Sequence, residues 1–277
     1  MGVDLFWDQM QGDVEAIVAD YRGVAAVYLV DPNSGRHLDI NADLVLAAGS
    51  SIKVPVLMEL YRKASEGALD LDEPVEIGGS DIVGGSGVLQ HLEGHVELTL
   101  RNLAILMINL SDNVATNLCI SRAGMDDVNA MLDDIGCSNT RLQRVMIDWK
   151  SAARGLENIS TAREMARWIE VMHLGQWERR DLCDEVLAVL RKGKDTPIRR
   201  GVPQDIPIAG KTGGLEGVRC EVALVCQNRL PYVLSVMTAF GIDEDNSEVI
   251  TEIARTVHDY MGVLETFSEY GRGLPVV

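Results

Sequence analysis

Ser50 and Lys53 stand three residues apart where a helical pattern begins. Side chains at that spacing share a helix face, so the lysine nitrogen can reach the serine hydroxyl. A serine hydroxyl is a weak nucleophile until a base takes its proton. A lysine can be that base when burial and the positive end of a helix lower its pKa toward neutrality. Ser51, two before Lys53, faces away. Further on come Ser111-Asp112-Asn113 and Lys211-Thr212-Gly213. Ser, Asp and Asn all favour helix starts, so the first of these reads alone as an N-cap cluster. Gly210-Lys211-Thr212 could close a phosphate-binding loop, but that loop needs a glycine where Asp205 stands, which excludes a nucleotide site. On its own the third string reads as a strand-end turn with an exposed lysine.

Other chemistry-bearing residues are weaker. His91 and His95 are four apart, but Gly94 lies between them and Glu93 is misplaced for a zinc-protease helix, so they read as surface or turn residues with no metal. Gly84-Gly85-Ser86-Gly87 has no lysine after it and reads as a mobile segment near a cleft mouth. Arg219, beyond Lys211 on the next strand, either projects toward a substrate carboxylate or forms a strand-face salt bridge.

The elements that must position these residues follow from periodicity. Leu5 to Tyr21 is an amphipathic helix with Leu5, Met10, Val14, Ile17 and Val18 on one face. Val24–Val30 and His37–Ile40 form a hairpin around Asp31-Pro32-Asn33-Ser34-Gly35. Helical patterns then dominate: Ser51–Ser65, Thr99–Ile108, Val114–Ser121, Asp126–Ile135 and Arg180–Leu190, the last closed by Gly193. Thr161-Ala162-Arg163-Glu164 is a capping box opening another helix. Apolar strands return at Ile206–Ala209, Val218–Cys226 and Tyr232–Phe240, followed by a last helix, Ser247–Met261, and a loose Gly-Arg-Gly-Leu-Pro tail. Strands at both ends and helices between predict an α/β (α+β) chain: residues 1–42 and 198–277 form a sheet covered by the terminal helices, and residues 43–197 form an all-α lobe.

Composition narrows the functions. The chain has 277 residues, 47% hydrophobic and 24% charged, ordinary for a globular protein. The formal charge of −17 disfavours nucleic acid and anionic membranes as partners. No run approaches the roughly 20 apolar residues of a membrane span. The first residues are acidic where a secretory signal would be basic. That fits a cytoplasmic chain, or a periplasmic or secreted one whose signal has been removed. Five cysteines, an odd number without metal spacing, fit a reducing compartment better than a disulfide framework. Cys220 and Cys226 lie on one strand an even number apart and face the same side.

Together, in this order, Ser50-x-x-Lys53, Ser111-Asp112-Asn113 and Lys211-Thr212-Gly213 resemble the motif set of class A β-lactamases and penicillin-binding proteins. The likeness runs through Ala47 to Val56, Leu110 to Asn117 and Gly210 to Gly214, and the strand–helix–strand layout extends it over essentially the whole chain. It implies the two-lobed β-lactamase-like fold, with the active site between the lobes. It also implies acyl transfer to Ser50 followed by hydrolysis, without cofactor or metal. By this resemblance Lys53 exchanges protons with Ser50, Ser111 relays a proton to the leaving nitrogen, and Asn113 holds the substrate amide. Lys211 and Thr212 bind the substrate carboxylate, and the N–H groups of Ser50 and Gly214 form the oxyanion hole. The substrate so implied is a small β-lactam, or a peptide or ester analogue, bearing a carboxylate.

The chain departs from the family pattern at one place. A class A enzyme carries, shortly after an arginine, a Glu-x-x-Leu-Asn whose glutamate activates the deacylating water. Here the stretch is Arg144-Val145-Met146-Ile147-Asp148-Trp149-Lys150, with Met146 in the glutamate's place. Asp148 is the nearest carboxylate and the substitute expected here, and Glu157 is next. The departure keeps open a related esterase or D-alanyl peptidase, or a sensor that stays acylated.

Overall fold

The computed structural model describes residues 2–192, 195–268 and 270–274. The chain opens with α1 (Gly2–Asp20) and the hairpin β1 (Val24–Val30) and β2 (His37–Ile40). The middle comprises β3 (Leu46–Ala47), a 3₁₀ turn at Gly49–Ile52, α2 (Lys53–Ser65), β4 (Pro74–Ile77), β5 (Val96–Thr99), α3 (Leu100–Asn109), α4 (Asn113–Ala123) and α5 (Met125–Asp134). It continues with α6 (Trp149–Ala152), β6 (Ile159–Ser160), α7 (Ala162–His173), α8 (Arg180–Leu190) and α9 (Pro197–Gly201). The meander β7 (Ile208–Leu215), β8 (Val218–Val225) and β9 (Tyr232–Ala239) then leads into α10 (Asp243–Thr266).

The main sheet has the order β2-β1-β9-β8-β7 and is antiparallel throughout. Val24 pairs with Ala239 and Val30 with Val233, so strands from opposite ends of the sequence make its centre. All eight residues of β9 are buried, because both faces of the sheet are covered. On one face Val27, Leu29, Val225, Leu234 and Val236 pack with Met10 and Val14 of α1 and Ile250, Ile253 and Val257 of α10. On the other, Ala26, Val222, Val233 and Met237 share a core with Met165, Trp168 and Ile169 of α7 and the residues of α2. Each large apolar side chain removed from water in this way contributes about 1.5–3 kcal/mol. Every residue of α2 from Lys53 to Tyr61 is buried. The helix that carries Lys53 is thus the axis of the middle region, and packing on all sides fixes it.

The structure corrects the sequence reading in several places. In α1 the buried residues are Trp7, Met10 and Val14, while Leu5 is 63% exposed; two residues are about 200° of helix rotation, which puts Leu5 opposite Trp7. The middle region is not all helical. Pro74 to Ile77 pair with Thr99 to Val96, and Leu46 and Ala47 pair with Ser160 and Ile159. These strands are too short, and in Pro-Val-Glu-Ile too polar, to announce themselves as apolar runs. The strand expected to stop at Ala209 runs to Leu215 and includes the whole Lys-Thr-Gly string. The Thr161 hydroxyl accepts from Glu164 N–H as a cap, but the Glu164 carboxylate binds Asn139 and Thr140 instead of closing the box. Gly193, expected to close α8, lies outside the described residues. Near the tail, Phe267 bridges to Gly273. All five cysteines are free thiols. Among the described residues no helix is long and apolar enough to cross a membrane.

Candidate active site

The site begins at the turn Gly49–Ile52, which lies against β7. Gly49 has φ +48°, and a Cβ there would fall 2.9 Å from Gly214 N. A Cβ on Gly213 would sit 2.6 Å from Ala48 O and 2.7 Å from Ser51 N. Glycine at both positions is what allows turn and strand to touch. Ser51 is buried, its Oγ 3.2 Å from Cys220 Sγ and 3.5 Å from Lys211 O. The Cys220 thiol, whose pKa burial pushes up to about 11, donates to Ala48 O. Ser51 therefore helps to hold the turn, and Ser50, part-exposed, is the serine that lines the cleft.

Lys53 and Lys211 both donate to the Ser111 hydroxyl. Lys53 Nζ donates to Ser111 O at 2.7 Å, Ser111 Oγ at 3.1 Å and Asn113 Oδ1 at 3.0 Å. Lys211 Nζ donates to Ser111 Oγ at 3.2 Å and Thr212 O at 2.7 Å. Ser111 is a non-glycine residue with φ +53°, a sparsely populated conformation that costs about 1 kcal/mol or more. It turns both the carbonyl and the hydroxyl of Ser111 to Lys53. Burial first, and then the charge of Lys211, hold the pKa of Lys53 well below the ordinary 10.5. The hydrogen bonds of Lys53 among the described residues go to Ser111 and Asn113, not to Ser50 itself.

Asp112 and Asn113 build the opposite wall. The buried Asp112 carboxylate caps α4 through Ala115 N and also accepts from Val88 N and Leu89 N. Asn113 Nδ2 donates to Gly84 O and its backbone N–H donates to Ser86 O. Gly85 and Gly87 have φ +87° and +109°, and Cβ atoms there would collide with Asn113 and Asp112. The Gly84–Gly87 segment is accordingly a tethered wall rather than a loose one: its glycines let the backbone lie on α4. With both ends of its amide engaged, Asn113 holds Lys53 and this wall in place. His95, set aside as a metal ligand, lies 3.3 Å from Glu76.

The stretch after Arg144 contains a further correction. Asn117 clamps Met146, accepting from its N–H at 2.7 Å and donating to its carbonyl at 3.1 Å. Met146 thereby lines the cavity that Ser50 and Asn113 share. Ile147, at φ +64°, turns the chain, and Asp148 caps α6. The Asp148 carboxylate accepts from Ser151 Oγ at 2.6 Å and Ser151 N at 3.0 Å, and these bonds, the hydroxyl's first, lower its pKa. Asp148 is not on the cavity wall, which argues against it as the substitute base. Glu157 is on that wall, with Oε2 2.8 Å from Arg144 Nη2. Asn158 fastens the stem of this loop: its Oδ1 accepts from Gln143 N and Arg144 N, its Nδ2 donates to Arg144 O, and its carbonyl accepts from Ala48 N. Asn117 and Asn158 were given no role from the sequence; a lone asparagine outside a turn carries no signal there.

Thr212, Gly214 and Arg219 complete the cleft edge. Arg219 pairs across β7–β8 with Gly214, and its guanidinium lies over that glycine, Nη1 3.0 Å from where a Cβ would be. Ser50, Ser86, Ser111, Thr212, Gly214 and Arg219 line one hollow, and Ser50, Asn113, Met146, Glu157 and Gly214 border an adjoining cavity of about 210 Å³.

This fold and this meeting of serines and lysines define a β-lactamase-like serine hydrolase. The chain belongs to the β-lactamase enzyme family, whose model matches residues 9–261. It is 30% identical over 227 residues to a β-lactamase of Amycolatopsis lactamdurans, covering 79% of this chain and 74% of the relative. The crystal structure of a β-lactamase from Sphaerobacter thermophilus DSM 20745 superposes with a TM-score of 0.84 at 30% identity, covering 92% of this chain and 98% of that one. A mutant of PBP-A, solved as its acyl-enzyme complex with penicillin G, also superposes at 0.84, with 25% identity and 92% and 97% coverage.

Proposed function

We propose that β-lactams acylate this protein at Ser50 and that hydrolysis of the acyl-enzyme is its slow step. In this reading Ser50 Oγ attacks the carbonyl, and Lys53 accepts its proton in the neutral form that burial favours. Ser111, 3.1 Å from Lys53 Nζ, relays that proton from Lys53 to the leaving nitrogen, which returns Lys53 to the neutral amine. Lys211, Thr212 and Arg219 receive the substrate carboxylate, and Ser50 N–H and Gly214 N–H bind the oxyanion. The observation that carries the second half is Met146, clamped on the cavity wall by Asn117. A thioether cannot accept a proton as a base, and positioned general-base help is worth about a hundred- to ten-thousandfold. The same observation supports a related esterase or D-alanyl peptidase, whose substrates leave a more labile or differently placed acyl group. The formal charge of −17 supports a small-molecule partner over nucleic acid.

The test is rapid mixing with a chromogenic cephalosporin, together with the intact mass after penicillin exposure. A stoichiometric burst, a slow second phase and an adduct on the Ser50 peptide are expected. Met146→Glu should speed the second phase by about a hundredfold or more. Fast steady turnover without a burst refutes the slow step. A peptide-ester panel turned over faster than any β-lactam favours the second reading.

A further inference from the structure

We infer that Glu157 is the carboxylate that takes the proton from the water that hydrolyses the acyl-enzyme. The inference rests on the reading that Ser50 becomes acylated. Among the described residues bordering the two hollows that contain Ser50, Glu157 is the only carboxylate. The other nearby carboxylates are committed elsewhere: Asp148 caps α6, and Asp112 satisfies three backbone N–H groups of α4 and the Val88 segment.

Glu157 differs from both. Arg144 Nη2 holds Oε2, whereas Oε1 accepts no hydrogen bond among the described residues. Arg144 is itself buried, its backbone N–H and carbonyl both held by the Asn158 side chain. One oxygen is thus anchored and the other is available on a wall of the cavity that holds Ser50. The cavity, about 210 Å³, has room for several waters at roughly 30 Å³ each. Its polar lining from Ser50, Ser86, Asn113 and Asn158 gives such waters partners.

The step balances without any further reagent. Water attacks the acyl carbon while one of its protons passes to Glu157. The tetrahedral intermediate collapses, the bond between the acyl carbon and Ser50 Oγ breaks, and the proton taken up by Glu157 is delivered to Ser50 Oγ, with Lys53 neutral before and after. The product acid leaves and ionises in solvent, and Glu157 is again a carboxylate. Met146 occupies the loop position from which the family pattern would deliver a glutamate, so the base on this cavity comes from the far end of the same loop.

The experiment separates acylation from hydrolysis. Penicillin-labelled protein is freed of excess reagent by rapid gel filtration, and the loss of adduct mass is followed for the parent, Glu157→Gln, and Glu157→Gln combined with Met146→Glu. Expected are parental acylation in Glu157→Gln, adduct loss slower by about a hundredfold, and recovery of adduct loss in the double variant. Parental adduct loss in Glu157→Gln overturns the inference. So does equal slowing of acylation and adduct loss without recovery in the double variant, since that is the behaviour of a purely structural ion pair. If the parent forms no adduct at all, the proposed function fails, and this inference with it; the acylation measurement shows which has happened.

Discussion

Replacing Lys211 with methionine should move the pH dependence of acylation, because Lys211 and Lys53 share one hydroxyl. Their Nζ atoms lie 3.2 and 3.1 Å from Ser111 Oγ, so the two charges are no more than about 6 Å apart; at an effective dielectric of about 20, unit charges at that distance repel by about 3 kcal/mol. Both side chains are buried, which spares this repulsion most solvent screening. The repulsion opposes protonation of Lys53. Removing it raises the pKa of Lys53, so that a higher pH is needed to produce the neutral amine that, in the proposed mechanism, takes the proton of Ser50. Acylation should therefore rise with pH in both proteins, with the rising limb of Lys211→Met displaced to higher pH. On that limb the displacement lowers the neutral fraction by up to about a hundredfold. The assay is the second-order acylation rate against pH with a neutral activated ester, which removes any contribution of Lys211 to carboxylate binding. Methionine keeps the volume of the lysine stem and limits repacking. Profiles that differ only by a constant factor, or a limb displaced to lower pH, would refute the electrostatic coupling of the two lysines.

Ser50→Ala should abolish covalent labelling by penicillin, whereas Ser51→Ala should still yield label on the Ser50 peptide; peptide mapping that finds label elsewhere in Ser50→Ala overturns the assignment. Gly49→Ala combines a φ of +48° with a Cβ 2.9 Å from Gly214 N. It should lower stability by about 1–3 kcal/mol and slow acylation by pushing β7 from the turn, checked by denaturant melts and by the burst rate.

What the sequence discloses and what it hides differ by kind of constraint. β1 and β2 begin and end where the sequence reading puts them, since apolar runs and an Asp-Pro-Asn-Ser-Gly turn are local signals. Ser50, Lys53, Ser111 and Lys211 are recognisable because three short strings in a fixed order are rarely accidental, and the structure gathers them around one cleft. The loop from Arg144 to Asn158 is different. Its shape depends on Asn117 and Asn158 gripping backbone groups at other points of the chain, and on Ile147 at φ +64°. Counting along the sequence finds Met146 but cannot tell that Asp148 turns to a helix end while Glu157 returns to the cavity. The Gly84–Gly87 segment is misread for the same reason: glycines that look like slack are the residues over which Asn113 and Asp112 fit.

The pairing of β1 with β9 also sets an order of events during synthesis. When the ribosome has released β1 and β2, the strand that must lie beside them has not been made, and the helices of the middle region emerge first. The first hairpin must wait with one edge open, a state prone to pairing with other chains. Contacts so distant in sequence close slowly. Lys211 reaches Ser111 only after β7 docks, so a nascent chain carries Ser50 and Lys53 long before it can assemble the residues around them. Slowing or interrupting translation after α8 should therefore yield a chain with folded helices that no penicillin labels.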